Sequence, residues 1–181
     1  LKWSAATQLG NLTTPVTSRN IVIGTSTCAV DFSPATTFSF LTADEVSYLR
    51  GDRSREGQAK DGSITWRKRS ALLGDVVNSG VVYSGAPSRQ ITGDGYKDFY
   101  DDNKSRTSAV FVGANDGMLH AFNASTGDEL FAFIPQTMAP KLASLTQSTY
   151  TSGHQNFVDG LLAVREVALG TAHGGARRAD D

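Results

Sequence analysis

The chain has 181 residues, enough for one ordinary domain core, with a formal net charge of −1 and 19% charged residues. That balance gives no electrostatic basis for binding nucleic acid or an anionic membrane, and no apolar run reaches the roughly 18 residues a membrane-spanning helix needs. A single cysteine, Cys28, excludes an internal disulfide framework, while the many Gly, Ser and Thr residues suit an all-β protein with many turns.

The chain starts mid-pattern at Leu1-Lys2-Trp3 without an initiator Met, so we expect a fragment whose targeting segment, if it has one, lies upstream. Residues 1–40 are poor in charge. They suggest a strand over 20–24 and a weaker one over 29–32, punctuated by Pro15 and Pro34. A helix of about two turns follows. Thr42 and Glu45 form a capping box, Leu41 and Val46 take the staple positions, and Gly51 closes the helix. Residues 50–70 are polar and Gly-punctuated, which predicts a solvated loop. Val81–Tyr83 is the best strand of the next run, and residues 87–104 read as a long polar loop.

Residues 109–134 predict three strands joined by tight turns at Asn115-Asp116-Gly117 and Ser125-Thr126-Gly127. Met118, His120 and Phe122 fall on one face of the middle strand, Leu119 and Ala121 on the other. Both faces of this meander carry apolar residues, as a sheet stacked between other sheets would. That is the construction of a propeller blade, nearly complete from about Gly74 to Ile134. Pro135 ends the third strand. A short helix is expected over 139–146 with Pro140 in its first turn, and residues 154–160 resemble the approach to another strand. The end of the chain lacks any apolar period, so residues 166–181 are expected to be a disordered or non-native tail.

Four stretches, in this order and spacing, resemble the C-terminal propeller region of the PilC/PilY family of type IV pilus biogenesis factors and tip-associated adhesins. They are Tyr48 to Ser54 (YLRGDRS), Leu73 to Ser79 (LGDVVNS) with Val82-Tyr83, Val110 to Phe122 (VFVGANDGMLHAF), and His154 to Gly160 (HQNFVDG). One departure is Gly80, which stands where the family typically continues Asn-Ser with Ser-Pro. The resemblance implies an all-β fold with short helical insertions. Residues 1–165 would form a partial β-propeller of about one blade plus parts of its neighbours, at best a third of the whole. Isolated, such a segment would expose sheet faces meant for neighbouring blades, so marginal stability or aggregation is expected.

Candidate sites are few. Arg50, Gly51 and Asp52 form an integrin-type tripeptide, in which Asp52 would offer a carboxylate to a receptor-bound cation and Arg50 an ion-pair partner; a plain surface turn is the competing reading. Asp94, Asp98, Asp101 and Asp102 gather oxygen ligands, though not at EF-hand spacing, so they are weak metal candidates and an acidic solvated loop is the favoured reading. The resemblance implies calcium in the full-length protein without assigning it a ligand here. Asn115, Asp116 and Gly117 read as a structural turn, with Asp116 bonding its own backbone, and His120 as a hydrogen-bonded blade histidine. His154, His173 and Cys28 lack catalytic partners at informative spacing.

No enzyme emerges. The resemblance implies a non-catalytic binding scaffold at the cell surface or pilus tip, in the outer membrane or periplasm of a Gram-negative bacterium. Its partners would be minor pilins, pilus assembly proteins and a host receptor. The alternative is a piece of a quinoprotein (PQQ-dependent) dehydrogenase-like propeller, which would use Trp3 or Trp66 against a quinone; where such repeats carry Trp, this chain has Phe131.

Overall fold

The computed structural model describes residues 2–91 and 95–165. Its organising element is the predicted meander, observed as β6 (Ala109–Gly113), β7 (Leu119–Asn123) and β8 (Glu129–Ile134). The three strands pair antiparallel, Val112 opposite His120 and His120 opposite Ala132. Gly117 sits at φ 91° in the first turn, a conformation that a side chain would strain. β5 (Val82–Ser84) adds to β6 and completes four antiparallel strands.

The sheet continues past β8. β1 (Ile21–Gly24) runs parallel to β8, and β2 (Ala29–Asp31) folds back on β1, giving the six-stranded order β2-β1-β8-β7-β6-β5. The result is a mixed sheet with short helices, not closed into a barrel. Its core face carries Ile21, Ile23, Ala132 and Ile134, packed under Val46, Tyr48, Leu142 and Leu145. A second apolar cluster lies further along the same face, where Val112 and Phe122 meet Leu9 and Leu72. The opposite face carries Val22, Phe111, Leu119, Phe131 and Phe133, all half-buried. Of the two apolar faces expected from the sequence, this chain covers one fully.

Helix α3 (Ala43–Arg50) follows its sequence closely. Thr42 Oγ1 accepts from the Glu45 amide at 3.3 Å, and Glu45 Oε2 accepts from the Thr42 amide at 2.8 Å, so both halves of the capping box are made. Gly51, at φ 127°, returns its amide to the Ser47 and Tyr48 carbonyls and ends the helix. A 3-10 helix over Gln136–Thr146 encloses the expected helical stretch after Pro135, and a second spans Ser148–Ser152.

Several segments differ from expectation. Residues 1–20 contain α1 (Ala5–Gly10) and α2 (Pro15–Ser18). The expected 50–70 loop contains a hairpin, β3 (Ala59–Asp61) with β4 (Ile64–Thr65); Arg50 before it and Arg69 after it are folded inward, while Arg53 and Arg55 stay exposed. The expected 87–104 loop contains α4 (Tyr96–Asn103), a helix with no buried residue, whose surface is tied by Lys97–Asp101 and Lys104–Asp101 pairs. Residues 154–160 form no strand. They instead lie against 78–79 and the 115 turn, with the Phe157 amide donating to Asn115 Oδ1 at 3.0 Å and Asn78 bonded to Asp159. The expected tail, 166–181, lies outside the described residues.

Candidate functional site

The core face holds an ionic chain that alternation alone does not predict. In a regular strand, Glu129 would fall on the face opposite Ala132. Between the pairs Ala121–Phe131 and Phe122–Glu129 the register shifts, so β8 has an extra residue, Leu130, at that point. The bulge turns Glu129 onto the core face beside His120. His120 Nδ1 then lies 2.8 Å from Glu129 Oε1, and His120 Nε2 lies 3.0 Å from Asp116 Oδ2. On its far side Glu129 takes a bidentate pair from Arg19, Nε to Oε2 at 2.6 Å and the second terminal nitrogen to Oε1 at 2.8 Å. Arg19 finally donates to the Arg50 carbonyl at 3.0 Å.

Three charged groups of this ionic chain are withdrawn from water: His120 is fully buried, and the Arg19 and Glu129 side chains are 3% and 5% exposed, while Asp116 at 14% is the most open. Burial pushes the His120 pKa down, but the Asp116 charge and the bonds to Asp116 and Glu129 outweigh it and raise the pKa to about 9. Burial likewise works against the Glu129 carboxylate, yet Arg19 and His120 hold its pKa near about 2. Asp116 is also lowered, against its burial, by the His120 charge and by hydrogen bonds from His120 and the Gly74 amide. His120 is therefore an imidazolium at neutral pH, with both ring nitrogens donating to carboxylates. It has no lone pair to offer a substrate and no hydroxyl or thiol bonded to it. The chemistry of the arrangement is to lock β7, β8, the 115–117 turn and the chain before β1 together.

Asp116 does bond its own backbone, at Met118 N (3.2 Å), and it also accepts from Gly74 N at 2.9 Å. The expected turn role is thus part of a wider clamp that pins the Leu73-Gly74 stretch to the meander.

Arg50 is 4% exposed. Its guanidinium donates to the carbonyls of Val16, Phe32 and Arg19, with the Asp31 carboxylate 4.0 Å away. Gly51 closes α3, and the Asp52 carboxylate accepts from the amide and hydroxyl of Ser54 at 2.8 and 3.0 Å. In this arrangement the arginine of the tripeptide serves the interior, and only Asp52 reaches solvent. Sequence reasoning missed this because an arginine after an amphipathic stretch normally points to water.

Of the acidic candidates, Asp94 lies outside the described residues. Asp98, Asp101 and Asp102 ride on α4, where Lys97 and Lys104 both pair with Asp101 and pull its pKa down to about 2. Among the described residues no group of three or more His, Cys, Asp and Glu side chains is arranged to hold a metal ion. Trp66 is buried, its ring 5.4 Å from that of Tyr48 and under the Lys60 ammonium. Trp3 packs on Phe122 and donates to the Ala124 carbonyl at 3.1 Å.

Four antiparallel strands with one buried and one half-buried apolar face, locked by an internal ionic chain, define a blade-type β scaffold. The comparison with known proteins gives the family: residues 73–176 match the PilY1 beta-propeller domain, and the chain belongs to that family. It is similar to a type IV pilus biogenesis factor PilY1 homolog of Xylella fastidiosa, 44% identical over 139 residues, covering 73% of this chain and 11% of the relative. The PilY1 proteins of Pseudomonas aeruginosa strains PAK and PAO1 are 41% and 40% identical over 137 residues each, again covering 71% of this chain and 11% of the relative. The chain thus spans about a tenth of the length of these relatives. No solved structure matches it.

Proposed function

We propose that this chain is a blade-bearing part of a type IV pilus biogenesis factor and that it acts as a non-catalytic scaffold presenting loops to protein partners. The observation that carries the reading is the match of residues 73–176 to the PilY1 propeller domain. The internal ionic chain supports a scaffold role, because its histidine is held by two carboxylates and ties strands and turn together. A rigid blade restricts loop entropy before contact, which favours binding by preformed geometry. The partners are pilins and assembly proteins of the pilus machinery, and the location is the cell envelope or pilus tip of a Gram-negative bacterium, with the adhesive role as an extension of the same reading.

The experiment is genetic. A strain carrying the full-length gene with residues 73–165 deleted in frame is expected to make pilin normally and to lose surface pili, counted by electron microscopy. Undiminished piliation, with the truncated protein present in the envelope, overturns the reading. Receptor attachment through the tripeptide would rest on Asp52, since Arg50 is buried; unchanged host-cell adhesion of an Asp52→Glu variant removes it. Calcium in the full-length protein is a separate proposal, read by calorimetry with calcium chloride.

A further inference from the structure

β5 and β6 are neighbours in the sheet and Ser84 pairs with Ala109, so a tight turn would be enough to join them. The chain instead leaves the sheet at Gly85 and returns at Ser108, carrying α4 on the way. A loop extended this far beyond what its strands need is where a scaffold places binding residues. Its bonds close on the excursion itself. Tyr96 donates to the Ser88 carbonyl at 2.7 Å, Arg106 to the Gly85 carbonyl at 2.6 Å, and Arg89 to the Tyr100 hydroxyl at 2.5 Å. No residue of α4 is buried, so the helix adds little to the core of the blade.

Tyr96, Phe99 and Tyr100 stand at i, i+3 and i+4, on one face of α4. They are half-buried, with the Tyr96 and Phe99 rings 5.6 Å apart and the Arg89 guanidinium 5.3 Å over Tyr100. Two of the three carry hydroxyls, so the face is amphipathic, and tyrosine with arginine is the composition of interface anchors. Asp98 and Asp102, one turn apart and exposed, form a row that borders this face beside Phe99. Lys97 and Lys104 both pair with Asp101, and neither Asp98 nor Asp102 makes an ion pair among the described residues. The excursion therefore presents an aromatic face edged by two carboxylates with no cation set against them.

We propose that α4 docks this face into an apolar groove of a partner protein whose rim carries lysine or arginine. The rings enter the groove, and Asp98 and Asp102 pair with the rim, which sets the orientation of the helix. The proposal names the loop that the scaffold presents, and to that extent it rests on the scaffold reading.

The test is calorimetric titration of the full chain with acetyl-Leu-Lys-Lys-Leu-Leu-Lys-Lys-Leu-amide and with the same peptide carrying glutamate for lysine. At low salt the lysine peptide is expected to bind roughly tenfold or more tightly, the difference shrinking as salt rises. Asp98→Asn combined with Asp102→Asn should bring it to the level of the glutamate peptide, and Phe99→Ser should weaken it by a similar factor. Replacing residues 86–107 by Asn-Gly should keep the melting midpoint and abolish the difference. Equal binding of the two peptides, or no binding of either, overturns the proposal on the unaltered chain. A lysine preference that survives the replacement places the contact elsewhere and overturns it too. Self-association lost on the replacement, without peptide binding, makes the occupant a second copy and likewise overturns it. Piliation in the strain lacking residues 73–165 reads the pilus role separately, so lost pili beside a failed titration strike this proposal alone.

Discussion

At the scale of single residues the outstanding fact is a fully buried histidine held between two carboxylates. Its pKa of about 9 against an ordinary 6.5 makes folding depend on pH in a defined direction. The folded state binds this proton more tightly, so the contribution is complete below about pH 6.5 and is lost as pH climbs through about 9. Glu129 acts in the opposite sense. Its folded pKa of about 2 lies under the ordinary 4.5, so its contribution is complete above about 4.5 and is lost as pH falls toward 2. We predict that the urea midpoint of the chain falls between pH 6.5 and 9, by an amount on the order of 2–3 kcal/mol in stability. In His120→Gln that decline should flatten, with lower stability at pH 6. A midpoint that stays constant across this window in the unaltered chain would show that His120 is neutral in the fold. Arg50 makes a companion case. Its three carbonyl bonds replace hydration for a buried cation, which makes the Arg50 side chain a poor target for probing adhesion.

The elements were legible wherever local chemistry and burial agree. Thr42, Glu45 and Gly51 spell a capped helix in the sequence, and α3 forms there. Thr42→Ala is expected to lose both halves of the capping box and cost about 1 kcal/mol, read as a lowered denaturation midpoint; an unchanged midpoint would mean that tertiary packing alone holds α3. The meander was equally legible because alternation and turn residues coincide in 109–134. What escaped is what depends on long-range contact. Glu129 follows a turn and reads as an outward residue, and only the bulge at Leu130 brings it to His120. Arg19 joins the ionic chain from 110 residues away in sequence. The segment holding the hairpin β3–β4 looked like a solvated loop because the arginines on either side are numerous, yet Arg69 is turned inward, bonded to Glu56 and stacked 3.7 Å over Tyr48. Charge in sequence marked polarity there, while its burial depended on partners no local pattern announces. α4 was missed for the converse reason: it buries nothing, so no apolar stripe declares it.

For the whole molecule the two sheet faces set the behaviour. The core face is covered by α3, the 3-10 helices and the N-terminal helices, while Val22, Phe111, Leu119, Phe131 and Phe133 leave the other face half-buried. Phe111 and Phe131 meet edge-on at 6.2 Å, forming a contiguous aromatic ridge across β6 and β8. At the sheet edge, Val82 of β5 stands opposite Phe111 on this face, and Tyr83 at 63% exposure lies on the other side of the strand, preceded by Val81 at 68%. An apolar sheet face beside an unpaired edge is a surface that associates, since burying it removes apolar area from water at about 25 cal/mol per Å². We therefore predict that the isolated chain associates with rising concentration, seen by light scattering between about 5 and 200 µM, and that Phe131→Lys suppresses this association. Because Phe131 lies on the half-buried face, the substitution should lower monomer stability by only about 1 kcal/mol, far less than the 3–5 kcal/mol expected for losing a core aromatic such as Phe122. A chain that stays monomeric over the whole range with a cooperative melt would mean that the half-buried face is already sufficient cover. Association that persists undiminished in Phe131→Lys would move the sticky surface to the β5 edge, where a Tyr83→Lys variant would then have to remove it.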